Sequence, residues 1–110
     1  MIARIRDRDA FLRLRREGVR VRNGALWCST VADPTIRPPQ VAFAFGRAVG
    51  SAVTRNRLRR RLRALLATRD LAPGLYLFGG RPPAGELTFA QLDVSVAALL
   101  DAAHRSRASE

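Results

Sequence analysis

Apolar positions recur with two periods along this chain, and the switches between them divide it into short elements. Leu58, Leu62, Leu65 and Leu66 fall at i, i+4, i+7 and i+8. On a helix of about 3.6 residues per turn that spacing makes one packing stripe. Leu92, Val96, Leu99 and Leu100 repeat it near the C-terminus, so a second helix is predicted there. Val41–Phe45 is apolar throughout, as a strand covered on both faces would be, and Leu75–Phe78 is a further short strand. Residues 19–32 are rich in β-forming types but are broken at Asn23-Gly24, either by a tight hairpin turn or by a bulge.

Caps and breakers set the boundaries. Asp7 can cap a first helix running to about Glu17, with Gly18 as its stop. Asp33 to Pro39, with three prolines, reads as a loop. Gly50-Ser51 opens the central helix, with Ser51 as cap and Thr54 as the alternative, and that helix ends near Arg69. Pro73-Gly74 turns the chain, Gly79–Gly85 is a second loop, and Thr88 caps the last helix. Residues after His104 read as a frayed tail. The order is α-β-β-β-α-β-α, an α+β fold of one small sandwich domain over residues 1–110, with its ordered core at about 7–104 and a tail at 105–110.

Charge changes this picture. The chain has 110 residues and a formal net charge of +11, and all 20 of its basic residues are arginine, so the choice of arginine over lysine carries no information. The distribution does. Residues 1–63 hold 16 arginines against Asp7, Asp9, Glu17 and Asp33, whereas residues 64–110 hold four against five acids. Between Arg47 and Arg63 there are seven arginines and no acid. On the central helix, Asn56, Arg59, Arg60 and Arg63 form a row opposite the leucine stripe. Arg57 and Arg61 extend the row along one flank, and Arg55 sits near the stripe at the first turn. A surface of this kind faces polyanions, and the helix N-terminus favours phosphate as well.

Catalysis by the chain itself finds little footing. His104 is the only histidine and stands at the end of the last helix, where a cation is favoured. No paired carboxylates share a motif, and Cys28 is alone, which leaves neither an acid/base pair nor a metal site. The lone cysteine, the absence of a bilayer-length apolar run and the absence of a signal-peptide pattern predict a cytoplasmic protein with no membrane partner.

The string RAVGSAVTRNRLRRRLR from Arg47 to Arg63 resembles the signature of the bacterial ribonuclease P protein component. In that signature an Arg-Asn-Arg core follows a basic-x-x-Gly-x-Ala-Val segment and precedes a basic pair; Gly50, Ala52-Val53 and Arg59-Arg60 supply the spacing here. The resemblance extends over roughly residues 7–104. It implies an RNA-binding subunit of the tRNA 5′-processing ribonucleoprotein, whose RNA performs Mg²⁺-dependent hydrolysis while the protein helps to bind precursor tRNA. The protein alone is then expected to bind no cofactor and to need no obligate protein partner. Carried over by position, Arg47, Arg55, Asn56, Arg57, Arg59, Arg60 and Arg63 would contact the catalytic RNA. Phe11 would line a cleft for the single-stranded 5′ leader.

Two positions depart from the family pattern. Arg15 stands where many members have a second aromatic, and Ser29 where a strand tyrosine is common. Trp27, two residues before Ser29 and hence on the same strand face, can restore a stacking surface. Ordinary core packing accounts for Phe11 and Trp27 equally well. The resemblance also implies a left-handed β-α-β crossover, against the general right-handed rule. The alternatives are a general or ribosome-associated RNA-binding protein, or a DNA-binding regulator. Six arginines in nine residues suit phosphate tracking better than base reading in a major groove.

Overall fold

In the computed structural model, which describes residues 1–108 and side chains as far as Ser106, the elements run β1 (Ala3–Arg4), α1 (Arg8–Glu17), β2 (Val19–Asn23), β3 (Leu26–Ala32), β4 (Gln40–Ala44), α2 (Ala52–Ala67), β5 (Gly74–Gly80) and α3 (Phe89–Ala108). The strands form one sheet in the order β1-β4-β5-β3-β2. β3 pairs antiparallel with β2 and β5, and β4 pairs parallel with β1 and β5, so α2 is the crossover between two adjacent parallel strands.

The break in residues 19–32 is a hairpin turn. Asn23 pairs with Leu26, leaving a loop of Gly24 and Ala25, and Gly24 takes the positive φ of 57° that a glycine at the first central position allows. The turn is therefore one residue later than the Asn23-Gly24 pair, which fixes the register of the whole hairpin. Trp27 then lies opposite Gly79, and Ser29 opposite Leu77.

Side-chain alternation splits the core in two. Leu26, Cys28, Tyr76, Phe78, Val41 and Phe45 meet the leucines of α2 and Leu92, Val96 and Leu99 of α3. On the other face a smaller cluster packs Leu14 of α1 against Ile5, Val31 and Leu75. Asp7 caps α1, accepting from the Asp9 backbone N–H at 3.0 Å. Gly18 ends α1 at a negative φ of −62°, so close approach rather than backbone freedom demands a glycine there. A Cβ would lie 2.3 Å from Ser29 Oγ and 2.2 Å from the Leu14 carbonyl oxygen.

Several boundaries differ from those read in the sequence. The ordered core begins before residue 7: Ala3 donates to the Pro39 carbonyl at 2.8 Å, and Ile5 to that of Val41 at 3.0 Å. A two-residue strand is too short to show a period. β4 is not covered on both faces, because α1 leaves Ala44 exposed. α2 stops at Ala67, where Thr68 Oγ1 turns back to the Leu65 carbonyl at 2.8 Å. The expected loop from Gly79 is strand through Gly80, and Pro82–Glu86 forms a 3-10 turn. The last helix runs through Ala108, past the tail expected after His104; residues 109–110 of that tail lie outside the described residues.

Candidate nucleic-acid interface

α2 starts where Ser51 Oγ accepts from the Thr54 backbone N–H at 3.3 Å, with Arg47 exposed in the 3-10 turn Arg47–Val49 just before it. Leu58, Leu62, Leu65 and Leu66 are all buried, and this pins the helix against the sheet and fixes where every arginine points. Asn56 and Arg60 are exposed. Arg59 and Arg63 lean to one side, lining a pocket of about 270 Å³ with Phe11, Ile5, Ala42 and Phe43. Arg57 and Arg61 lean to the other, lining a groove of about 720 Å³ against residues 82–89. Arg59 Nη1 donates to Asn56 Oδ1 at 2.8 Å, so the asparagine holds its neighbour in place along the ridge. Arg55 is half-buried, and its Nε is shielded from solvent without an acceptor.

Ion pairing separates structural arginines from available ones. Among the described residues, Arg13 is the only one of the 16 arginines in residues 1–63 that is salt-bridged, to Asp33 at 2.6 Å and to Glu17 at 3.3 Å. In the C-terminal part, Arg69, two residues past the end of α2, bridges to Asp93 of α3 at 2.5 Å, and Arg105 pairs with Asp101. Every described arginine of α2 is left without a carboxylate. The Asp33 carboxyl is held at about 2, below the ordinary 3.8, chiefly by the Arg13 hydrogen bond and then by those from Thr35. The same contact raises the Arg13 pKa.

The face of the sheet that α1 only partly covers carries the cleft. Phe11 is 42% exposed and belongs to neither core cluster, so core packing does not explain it. Its pocket wraps around the edge of β4, from Ala42 on the α1 face to Phe43 on the α2 face, and Arg63 Cζ lies 5.5 Å from the Phe43 ring centroid. Trp27 is not a wall of this pocket. It lies across Gly79, whose Cβ would be 2.1 Å from the indole Cζ2, and Arg20 Cζ covers the ring at 4.0 Å. Ser29 is buried under the end of α1, with Gly18 packed close to its hydroxyl, and Arg15 is exposed one turn after Phe11.

The structure thus brings Phe11 together with Arg59 and Arg63, which the sequence reading had placed in two separate sites. It also adds Arg4, Arg20 and Phe43, which that reading missed. The signal for Arg20 was present: once the hairpin register is known, Arg20 is diagonal to Trp27 on one face. Among the described residues, no three of His, Cys, Asp and Glu gather in a way that could hold a metal, and no helix is long and apolar enough to cross a membrane.

A mixed sheet backed by two helices, with an unpaired arginine ridge beside an aromatic cleft, defines a small α+β RNA-binding domain. The chain belongs to the ribonuclease P family, whose profile matches residues 2–104, and so is part of the tRNA-processing endonuclease. It is 41% identical to the ribonuclease P protein component of Beutenbergia cavernae over 96 residues, covering 84% of this chain and 81% of that one. It is 36% identical to that of Micrococcus luteus over 104 residues, with coverage of 81% and 78%. Two solved structures share the fold. The RNase P protein of Staphylococcus aureus superposes with a TM-score of 0.80 at 24% identity, over 91% of this chain and 94% of that one. That of Thermotoga maritima gives 0.77 at 21%, over 88% and 94%.

Proposed function

We propose that this chain docks on the catalytic RNA of ribonuclease P in the cytoplasm through the outer ridge of α2 and Arg47. The cleft beside α1 takes the unpaired 5′ leader of precursor tRNA. The observation that carries this reading is the density of uncompensated charge on one helix: all six arginines of α2 have no protein carboxylate, and the buried leucines Leu58, Leu62, Leu65 and Leu66 hold that helix with its arginine side outward. Unpaired guanidinium groups in a row neutralise phosphates and release counterions. Phe11 supplies a π-face for a leader base, and Arg4 and Arg63 supply cations beside it.

Among the described residues the acids are scattered or engaged with arginines, a donor set that does not suit Mg²⁺. Metal-assisted hydrolysis in this reading belongs to the RNA. Isolated protein with Mg²⁺ should leave precursor tRNA uncut, and adding the cognate RNA subunit should restore 5′ processing at low salt. Robust cleavage by RNA-free protein would overturn the assignment. Sequencing the nucleic acid recovered with the protein from cells separates it from a general RNA-binding role, which would give ribosomal RNA rather than one dominant structured RNA.

A further inference from the structure

The groove on the Arg57 side of α2 has a different chemistry from the outer ridge. Its floor is rigid: a Cβ on Gly85 would lie 2.7 Å from the Val49 carbonyl oxygen and 2.8 Å from Thr54 Cγ2, so the 82–86 turn sits tight against α2. At its rim, Phe89 is 47% exposed at the first position of α3, and the cap that starts this helix is already complete. Thr88 Oγ1 accepts from the Gln91 N–H at 3.1 Å, while Gln91 Oε1 accepts from the Thr88 N–H at 2.9 Å. Phe89 contributes nothing to that cap and belongs to neither core cluster. Glu86 is exposed and lines the same groove as Arg57 and Arg61, yet it bridges neither of them.

A surface built only to follow phosphates has no use for a carboxylate and an exposed ring. A nucleobase uses both. Its face stacks on an aromatic, its amino groups donate to a carboxylate, and the phosphates on either side go to arginines. About 720 Å³ is room enough for a nucleotide. We propose that this groove holds one unpaired nucleotide of the RNA lying along α2, with its base stacked on Phe89, its donor edge on Glu86, and its flanking phosphates on Arg57 and Arg61. Guanine fits best, because its N1–H and N2–H point the same way and match the two oxygens of one carboxylate. Uracil, with a single N–H between two carbonyls, fits worst. The inference rests on α2 being the RNA-docking helix and names what the RNA must present there.

The test uses the full chain and its cognate ribonuclease P RNA, with binding and base-reactivity footprinting of wild type, Phe89→Ala, Glu86→Gln and Arg60→Ala. Wild-type protein should protect one unpaired base that Phe89→Ala leaves reactive, and Phe89→Ala should weaken binding by roughly 5- to 150-fold, as removal of a base–aromatic stack does. Mutating the protected base to uracil should weaken wild type, and the same change should cost little in Glu86→Gln. Phe89→Leu, which keeps apolar bulk but not the ring, should behave like Phe89→Ala.

Unchanged affinity and footprint in Phe89→Ala and Glu86→Gln, with Arg60→Ala impaired, would overturn the groove proposal and leave docking on α2 intact. Unchanged binding in Arg60→Ala as well would overturn docking on α2 itself. Weaker binding in Phe89→Ala with the single-base protection retained would also overturn the proposal, since the ring would then be acting through packing.

Discussion

Replacing Gly79 by alanine perturbs the cleft without touching a charge or an RNA-facing polar group. An ideal Cβ at Gly79 would lie 2.1 Å from Cζ2, 2.2 Å from Cε2 and 2.7 Å from Nε1 of Trp27. Carbon atoms rest at about 3.5–4.0 Å, so the indole has to lift from the sheet by well over an ångström. The displaced ring loses its bed on β5 and its stack under Arg20, now at 4.0 Å. Overpacking of this kind costs about 1–3 kcal/mol. For a domain of this size that lowers the melting temperature by roughly 4–20 °C. Trp27 is the only tryptophan, so its emission reports the move directly and should shift to the red. If the ring is also part of the leader surface, the variant's affinity for precursor tRNA should fall, by up to the roughly 1–3 kcal/mol of one stacked base, while its affinity for mature tRNA stays. An unshifted spectrum and melting curve would refute the packing argument. A shifted spectrum with an unchanged precursor-to-mature ratio would refute Trp27 as leader contact and spare the packing argument.

Leu62→Ala, at a fully buried position of the α2 stripe, should cost about 2–5 kcal/mol in denaturant unfolding, because the fixed sheet behind it cannot collapse into the space. Arg60→Ala should leave unfolding unchanged and flatten the slope of log affinity for the RNA subunit against log salt by somewhat under one unit. Arg13→Ala, whose charge is already paired with Asp33, should change that slope far less; equal slopes for the two variants would refute the sorting of arginines by ion pairing. Because the Asp33 carboxyl titrates below its ordinary value, its stabilisation is full above about pH 3.8 and fades as the pH falls toward 2. The stability gap between wild type and Asp33→Asn should therefore close over that acid range and stay constant above it.

Elements with a long period were legible in the chain, and short ones were not. α2 and α3 were set by four leucine or valine positions each, and their caps by Ser51 and Thr88, because a stripe over several turns has one interpretation. β1 was invisible: two residues carry no period, and its hydrogen bonds go to Pro39 and Val41, far away in sequence. The extension of β5 to Gly80 was hidden by glycines that read as a loop. Their real reason is close approach, with Trp27 over Gly79 and the Ala84 methyl 2.9 Å from where a Gly80 Cβ would lie.

The arginine helix shows why site residues were easier to find than to sort. Charge and spacing mark Arg47 through Arg63 as a surface, but a helix seen alone has no neighbours, so its polar side reads as one face. Packing of Leu58 and Leu62 onto the sheet sets the angle of the helix, and the elements beside it then divide that face. On one flank the edge of β4 places Arg59 and Arg63 beside Phe11, where a leader base and a catalytic-RNA phosphate would compete for the same cations. On the other flank the turn at 82–86 places Arg57 and Arg61 beside Glu86 and Phe89, residues that neither charge nor period marks in the sequence. Of the exposed arginines on the helix only Arg60 lines neither flank, and it, with Arg47, is the position where pure phosphate contact remains the simplest account. Substitutions along the ridge should therefore act alike on all RNA partners, whereas substitutions on the flanks should separate them.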